Sequence, residues 1–203
     1  MKLYTSTRAP NPRRVDIFLA EKGITVPRVE IDIMQLEHKR PEFIALNPMM
    51  RVPVLELDDG THVSESIAIC RYFEELQPEP ALFGVDMEDR AKVEMWQRRM
   101  ELNLMFPVAM AFRHLHPAMA ALETPQIAEW GEANKPKVME VLDWLDSEMG
   151  DRRYIAGDRF TVADITALVA VDFMKPARLA VPDTCANIKR WYLDVSSRPS
   201  AAA

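Results

Sequence analysis

Short apolar runs with a period of two dominate the first eighty residues of the chain. This period predicts strands at residues 2–5, 29–33 and 54–58, because alternate side chains of a strand face opposite sides of a sheet. The third run alternates leucines with acidic residues, which is typical of a half-buried strand. The Asp58-Asp59-Gly60 segment follows it, and this turn chemistry predicts a β-hairpin.

Helical patterns separate these runs. Residues 11–22 carry apolar side chains at helical spacing, with Asn11 as the predicted cap and Pro12 in the first helical position. A short helix is predicted at 41–46, and Ser64-Glu65-Ser66 opens another. The resulting β-α-β-α-β-β-α order predicts one mixed sheet with helices on its faces.

The second half of the chain has no convincing strand pattern. Four helices are predicted there, at residues 86–115, at 124–150, from 161 onward and at 187–197. Prolines and a glycine between residues 77 and 84 predict a linker. We therefore expect an α/β domain at residues 1–78, a linker at 79–86 and an all-α domain at 87–203.

Composition places the chain among ordinary globular proteins. Its 203 residues are 48% hydrophobic and 28% charged, and the net charge of −6 argues against a nucleic-acid partner. No apolar stretch is long enough to cross a membrane. Residues 1–8 lack the apolar core of a signal peptide, and Cys70 and Cys185 form no CxxC pair, so the cytoplasm is the expected location.

Two short motifs flank the predicted hairpin. Val52-Pro53 precedes its first strand, and Ser64-Glu65-Ser66 follows its second. In this order and spacing the motifs resemble the glutathione site of the glutathione S-transferase family. Residues 156–165, in which Thr161 and Asp164 have the spacing of a capping box, resemble the capped helix of that family's second domain. The resemblance thus covers nearly the whole chain and implies a thioredoxin-like N-terminal domain followed by an all-α C-terminal domain.

The resemblance assigns parts of glutathione to these motifs. It implies that Glu65 accepts the ammonium and Ser66 binds the carboxylate of the γ-glutamyl group, near a helix N-terminus. It implies a cis peptide at Val52-Pro53. The backbone of this turn would hydrogen-bond the cysteinyl part of glutathione, which would lie along it like an added strand. Three basic residues are candidates for the glycine carboxylate: His38, Lys39 and Arg51. The alternatives are an ordinary helix cap at residues 64–66 and a solvated turn at residues 37–40.

The sequence offers several candidate partners for the glutathione sulfur. Many family members carry Tyr, Ser or Cys at or before the first helix, whereas here Ala9 occupies the serine position and Asn11 the cysteine position. Asn11 either donates its amide N–H to the sulfur or only caps the helix. Ser6 and Thr7 are alternative hydroxyl donors.

Two histidines in the second half offer a different partner. His114 and His116 lie near the end of a long predicted helix, in a segment that resembles an atypical fungal and bacterial subgroup of the family. In that subgroup a histidine assists the thiol through water. Residues two apart cannot share one helix face, and the sequence does not decide which of the two would act. The alternative for each is an ordinary histidine at the surface or at a helix end. Imidazole exchanges protons near neutral pH, which suits the task.

The expected activity is attack of the glutathione thiolate on a small, largely apolar electrophile. The alternatives are a glutathione-dependent peroxidase or disulfide reductase on the same scaffold, and a non-catalytic glutathione-binding module. Four histidines and two cysteines show no metal-ligand spacing, so glutathione is the only expected cofactor. The resemblance also implies a homodimer, with Met49 and Met50 as candidate contact residues.

Overall fold

The computed structural model describes all 203 residues. It divides into two compact units, one formed by residues 1–81 with 202–203 and the other by residues 82–201. None of the helices has the length and apolar character needed to cross a bilayer.

Unit 1 is a four-stranded mixed sheet with three helices. The strands are β1 (Lys2–Thr5), β2 (Arg28–Glu30), β3 (Val54–Glu56) and β4 (His62–Ser64), in the order β2-β1-β3-β4. Strand β1 is parallel to β2 and antiparallel to β3, and β3 and β4 form the predicted hairpin. The helices are α1 (Pro10–Lys22), α2 (Pro41–Ile44) and α3 (Ser66–Leu76), and a 3-10 turn spans Glu37–Lys39.

Two strand predictions need correction. The strand at 29–33 is shorter than predicted: it ends at Glu30, because Asp32 turns the chain by accepting hydrogen bonds from the N–H groups of Met34 and Gln35. The third strand is not half-buried. Its residues Val54 and Leu55 are both fully buried, since the sheet is covered on both faces.

Helix α1 begins two residues earlier than predicted, at Pro10 instead of Pro12, with Ala9 as its N-cap. The prediction that Asn11 caps the helix is therefore wrong. Proline suits the first turn of a helix, where its missing N–H has no partner to lose, so Pro10 and Pro12 are both accommodated there. Asn11 is the second residue of the helix.

Unit 2 is entirely helical. Its helices are α4 (Met87–Arg99), α5 (Phe106–Leu115), α6 (Ala128–Met149), α7 (Val162–Met174) and α8 (Ala186–Ser196). A π-helical segment, Met100–Met105, joins α4 to α5. Pro107 follows this segment, and a wider turn there relieves the clash of its ring with the preceding carbonyl groups.

The start of α6 also differs from the prediction, which placed it at residue 124. Residues 124–127 instead belong to the connection from α5, where Gln126 Nε2 donates to the carbonyl oxygens of Arg113 at 2.8 Å and His116 at 3.0 Å. The predicted capping box of α7 is confirmed: Thr161 N–H donates to Asp164 Oδ2 at 2.9 Å, and the Thr161 side chain accepts in return.

Candidate active site

Three chain segments meet at one edge of the sheet in unit 1. Tyr4 of β1 is paired with Val54 of β3, and Val54 is paired with Ser64 of β4. The end of β1, the start of β3 and the end of β4 therefore lie side by side. The segment leading to α1, the Val52-Pro53 turn and the Glu65-Ser66 helix start all emerge at this edge.

The Val52-Pro53 turn presents open backbone groups. The peptide bond between the two residues is cis. Neither the N–H nor the C=O of Val52 is hydrogen-bonded within the chain. A peptide lying along this turn can use both groups, as a strand added to a sheet edge does.

Asn47 holds the loop before this turn, a role that sequence analysis missed. Its side chain is 2% exposed; Nδ2 donates to the Arg51 carbonyl oxygen at 2.8 Å, and Oδ1 accepts from the Met49 N–H at 3.1 Å. An asparagine before a proline suggests only a turn from sequence. The bond to Arg51 fixes the residue immediately before Val52.

Glu65 and Ser66 have the properties expected of a ligand-binding helix start. Glu65 is exposed, its carboxylate has no hydrogen-bond or ionic partner in the chain, and its φ is +70°. A non-glycine residue in this region costs about 1–3 kcal/mol, and such residues cluster at binding sites. Ser66 is the first residue of α3, is 3% exposed and has an unpaired hydroxyl, so its N–H and O–H remain available to a carboxylate.

The three predicted basic residues differ in exposure. His38 lies in the 3-10 turn and is only 5% exposed, so it is largely an interior side chain. Lys39 is partly exposed, and Arg51 is exposed with Nη1 donating to the Met50 carbonyl oxygen at 3.3 Å. Lys39 and Arg51 are therefore better suited than His38 to bind a solvent-facing carboxylate.

The segment before α1 offers few donors for a sulfur. Ala9 has no polar side chain and packs against the buried cluster that contains Val52. Ser6 is 1% exposed, and its carbonyl oxygen accepts from the Ala9 N–H at 3.1 Å. Thr7 is exposed, and its hydroxyl is hydrogen-bonded to Glu30 Oε1 at 3.1 Å.

Asn11 keeps one side-chain donor available. Its Oδ1 accepts a hydrogen bond from Arg14 Nη2 at 2.9 Å, and its Nδ2 has no partner within the chain. Pro10 and Pro12 lack backbone N–H groups, so the hydrogen-bond donors of the first three helical residues all belong to Asn11.

The histidines of unit 2 have different surroundings. His114 is 9% exposed; its Nδ1 accepts from the Ile127 N–H at 3.0 Å, and its Nε2 lies 3.9 Å from Glu123 Oε1. His116 is partly exposed and accepts from the Ala118 N–H at 3.2 Å through Nδ1, while its Nε2 has no partner. An imidazole that accepts through Nδ1 carries its proton on Nε2 when neutral, so His116 presents an available N–H.

Neither cysteine is placed for chemistry. Both are free thiols in buried positions, and burial raises the pKa of Cys70, opposed by the positive charge of Arg14. A buried thiol of this kind is a poor nucleophile. No group of three His, Cys, Asp or Glu side chains is arranged to hold a metal ion.

Comparisons with known proteins agree with this geometry. Family models for the glutathione S-transferase N-terminal and C-terminal domains match residues 9–76 and 104–199. Glutathione S-transferase 2 of Saccharomyces cerevisiae is 38% identical over 203 residues, covering 98% of this chain and 87% of the yeast protein.

Solved structures give the same result over the whole chain. A glutathione S-transferase domain-containing protein of Marinobacter aquaeolei VT8 is similar with a TM-score of 0.95 and 39% identity, over 98% of this chain and 99% of that one. Gtt2 of Saccharomyces cerevisiae has a TM-score of 0.95 and 38% identity, over 100% of this chain and 99% of that one. The predicted fold class is confirmed.

Proposed function

This chain belongs to the glutathione S-transferase family and is a glutathione transferase; from that premise we propose that it joins the glutathione sulfur to a small, largely apolar electrophile. The observation that carries the proposal is the β3–β4 pairing of Val54 with Ser64, which brings the Val52 turn and the Glu65-Ser66 helix start to one edge of the sheet.

Glutathione has two carboxylates, one ammonium and one thiol, and this edge offers a partner for each charged group. The unpaired Glu65 carboxylate takes the ammonium, and the N–H and hydroxyl of Ser66 take the neighbouring carboxylate. The open backbone of Val52 binds the cysteinyl residue. Lys39 and Arg51 take the glycine carboxylate.

Asn11 is our candidate partner for the sulfur. Lowering the pKa of a thiol from its ordinary value near 8.5 by about two units stabilises the thiolate by about 2.7 kcal/mol. An amide N–H donor at a helix N-terminus contributes to that stabilisation. The thiol proton leaves to solvent, and the thiolate forms a carbon–sulfur bond with the electrophile while a leaving group departs or the added electron pair is protonated.

His116 is the second candidate for proton exchange. Its Nε2 is available, whereas both nitrogens of the buried His114 face groups of the protein. We assign His114 a structural role in the α5–α6 connection.

Two assays test the proposed activity. Isothermal titration calorimetry with glutathione measures binding, and conjugation of glutathione to 1-chloro-2,4-dinitrobenzene measures transfer. Parallel assays with cumene hydroperoxide and with a glutathione mixed disulfide measure the competing peroxidase and reductase activities. Conjugation well above both competing rates supports the proposal. Binding with faster turnover of hydroperoxide or disulfide, or with no turnover at all, contradicts it.

We also propose that the protein is a homodimer. Exposed apolar side chains occur in both units, including Met49 at 66% exposure in unit 1 and Leu102 at 50% and Phe106 at 47% in unit 2. Light scattering coupled to size-exclusion chromatography tests this, and a monomeric mass would contradict it. A cytoplasmic location is consistent with two free, buried thiols, and cell fractionation tests it.

A further inference from the structure

We propose that Arg14 is a positioning residue that sets the orientation of the Asn11 amide and thereby makes this side chain a donor toward the glutathione sulfur. The inference rests on the proposed role of Asn11. It starts from the 2.9 Å hydrogen bond between Arg14 Nη2 and Asn11 Oδ1.

The chemistry of the guanidinium makes this contact directional. An arginine side chain has N–H donors and no acceptor, so the amide atom that faces it must be the oxygen. The amide is planar, and Nδ2 therefore points away from Arg14. Without this contact the terminal torsion of an asparagine is broad, with two alternatives of similar energy.

Orientation decides what Asn11 contributes. With Nδ2 toward the sulfur, the amide offers an N–H to a thiolate. With the amide flipped, Oδ1 faces the same anion and repels it. A residue that selects one orientation therefore favours the thiolate without contacting glutathione.

Arg14 itself is held in place. It is 5% exposed on α1, which packs against α3. Charged and titratable groups around this part of the two helices include Asp16 on α1 and Cys70 and Glu74 on α3. The charges of Arg14, Asp16 and Glu74 all act on the Cys70 thiol. A buried guanidinium among these groups has little freedom to leave Asn11.

The test measures the pKa of the glutathione thiol while it is bound to the enzyme, by titrating the ultraviolet difference absorbance of the thiolate. Four variants are compared with the wild type: Asn11→Ala, Arg14→Met, the double variant, and Arg13→Met as a control. The control removes the same charge from the same helical turn, at a residue that makes no hydrogen bond to Asn11. Arg14→Gln replaces Arg14→Met if the latter fails to fold.

Asn11→Ala is expected to raise the pKa of the bound thiol by about one unit, a roughly tenfold loss of thiolate below that pKa. Arg14→Met is expected to produce at least half of this rise in the wild-type background and no further rise in the Asn11→Ala background. Arg13→Met is expected to leave the pKa unchanged. Non-additivity of this kind shows that Arg14 acts through Asn11.

Other outcomes overturn the inference in distinguishable ways. Equal effects of Arg14→Met in both backgrounds would mean that its charge acts on the sulfur directly, and no effect in either would mean that it does not act at all. In both cases the role of Asn11 stands. An unchanged pKa in Asn11→Ala would remove that role and this inference together, while calorimetry would still report whether glutathione binds.

Discussion

Lys22 Nζ lies 2.5 Å from Glu74 Oε2, and the Lys22 side chain has no solvent exposure. The same ammonium donates to three carbonyl oxygens, those of Gln77 at 2.7 Å, Pro78 at 3.1 Å and Pro80 at 2.8 Å. One lysine at the end of α1 thus holds the chain that follows α3. The carbonyl groups of this proline-rich segment have no helix or strand to bond to, and Lys22 satisfies them.

Replacing Lys22 with methionine is expected to lower the free energy of unfolding by about 3–5 kcal/mol, because it leaves a buried carboxylate and three carbonyl groups without their cation. Urea denaturation followed by circular dichroism measures the change. Lys92→Met, at a solvent-exposed ion pair with Glu88, is the control and should leave stability nearly unchanged. Equal stability of the Lys22→Met variant and the control would show that the buried ion pair is not needed.

Replacing Glu65 with glutamine is expected to weaken glutathione binding roughly 10- to 100-fold, because a charge-assisted hydrogen bond to the ammonium contributes about 1.5–3 kcal/mol. The helix start itself should be unaffected, since the Glu65 side chain makes no capping hydrogen bond. Calorimetry measures the dissociation constant. Glu75→Gln, an exposed change on the same helix, is the matched control. The same affinity in both variants would contradict the assignment of Glu65.

The candidate site was largely predictable because its signals are local. The Val52-Pro53 turn, the Asp58-Gly60 turn and the start of α3 are each specified by a few adjacent residues, and the hairpin between them brings the ends together. The Thr161 capping box is local in the same sense. Patterns of this kind are visible without knowledge of the rest of the fold.

The errors concern contacts between residues far apart in sequence. The alternation around Val54 suggested a half-buried strand, yet Val54 packs against Phe43 on the second face of the sheet. Asp164 also accepts from the indole N–H of Trp191 at 2.9 Å, a bond that no capping pattern reveals. The predicted helix position of Asn11 is two residues too early, because the prolines on either side of it, Pro10 and Pro12, offer two plausible helix starts.

We expect substitutions of the two histidines to differ in what they change: one lowers stability and the other lowers catalytic activity. His114→Ala removes the acceptor of the Ile127 N–H in a partly buried hydrogen bond, so it should lower the free energy of unfolding by about 1–3 kcal/mol. His116→Gln should leave stability nearly unchanged and lower kcat for conjugation, with an altered pH profile. Thermal unfolding and steady-state kinetics measure both. Loss of kcat in a folded His114 variant, with full activity in His116→Gln, would reverse the assignment.

Asp164 gives the stability of the protein a defined pH dependence. Complete burial raises the pKa of its carboxyl from 3.8 to about 6, opposed by hydrogen bonds from the N–H groups of Ile155, Trp191 and Thr161. Between pH 3.8 and about pH 6, Asp164 is protonated in the native state but has released its proton in the unfolded chain. The contribution of Asp164 to the free energy of unfolding therefore falls by up to about 3 kcal/mol as the pH rises through this range. Above it, the contribution is constant.

Substitution by asparagine removes this titration, so the stability of the wild type relative to Asp164→Asn should decline as pH rises from about 4 to about 7. Asp158→Asn, an exposed change in the same unit, should retain the wild-type decline. Urea unfolding at a series of pH values gives the three curves. Parallel curves for the wild type and Asp164→Asn would contradict this prediction. They would mean that Asp164 is ionised throughout this range, because the hydrogen bonds from Thr161, Ile155 and Trp191 offset the effect of burial on its pKa.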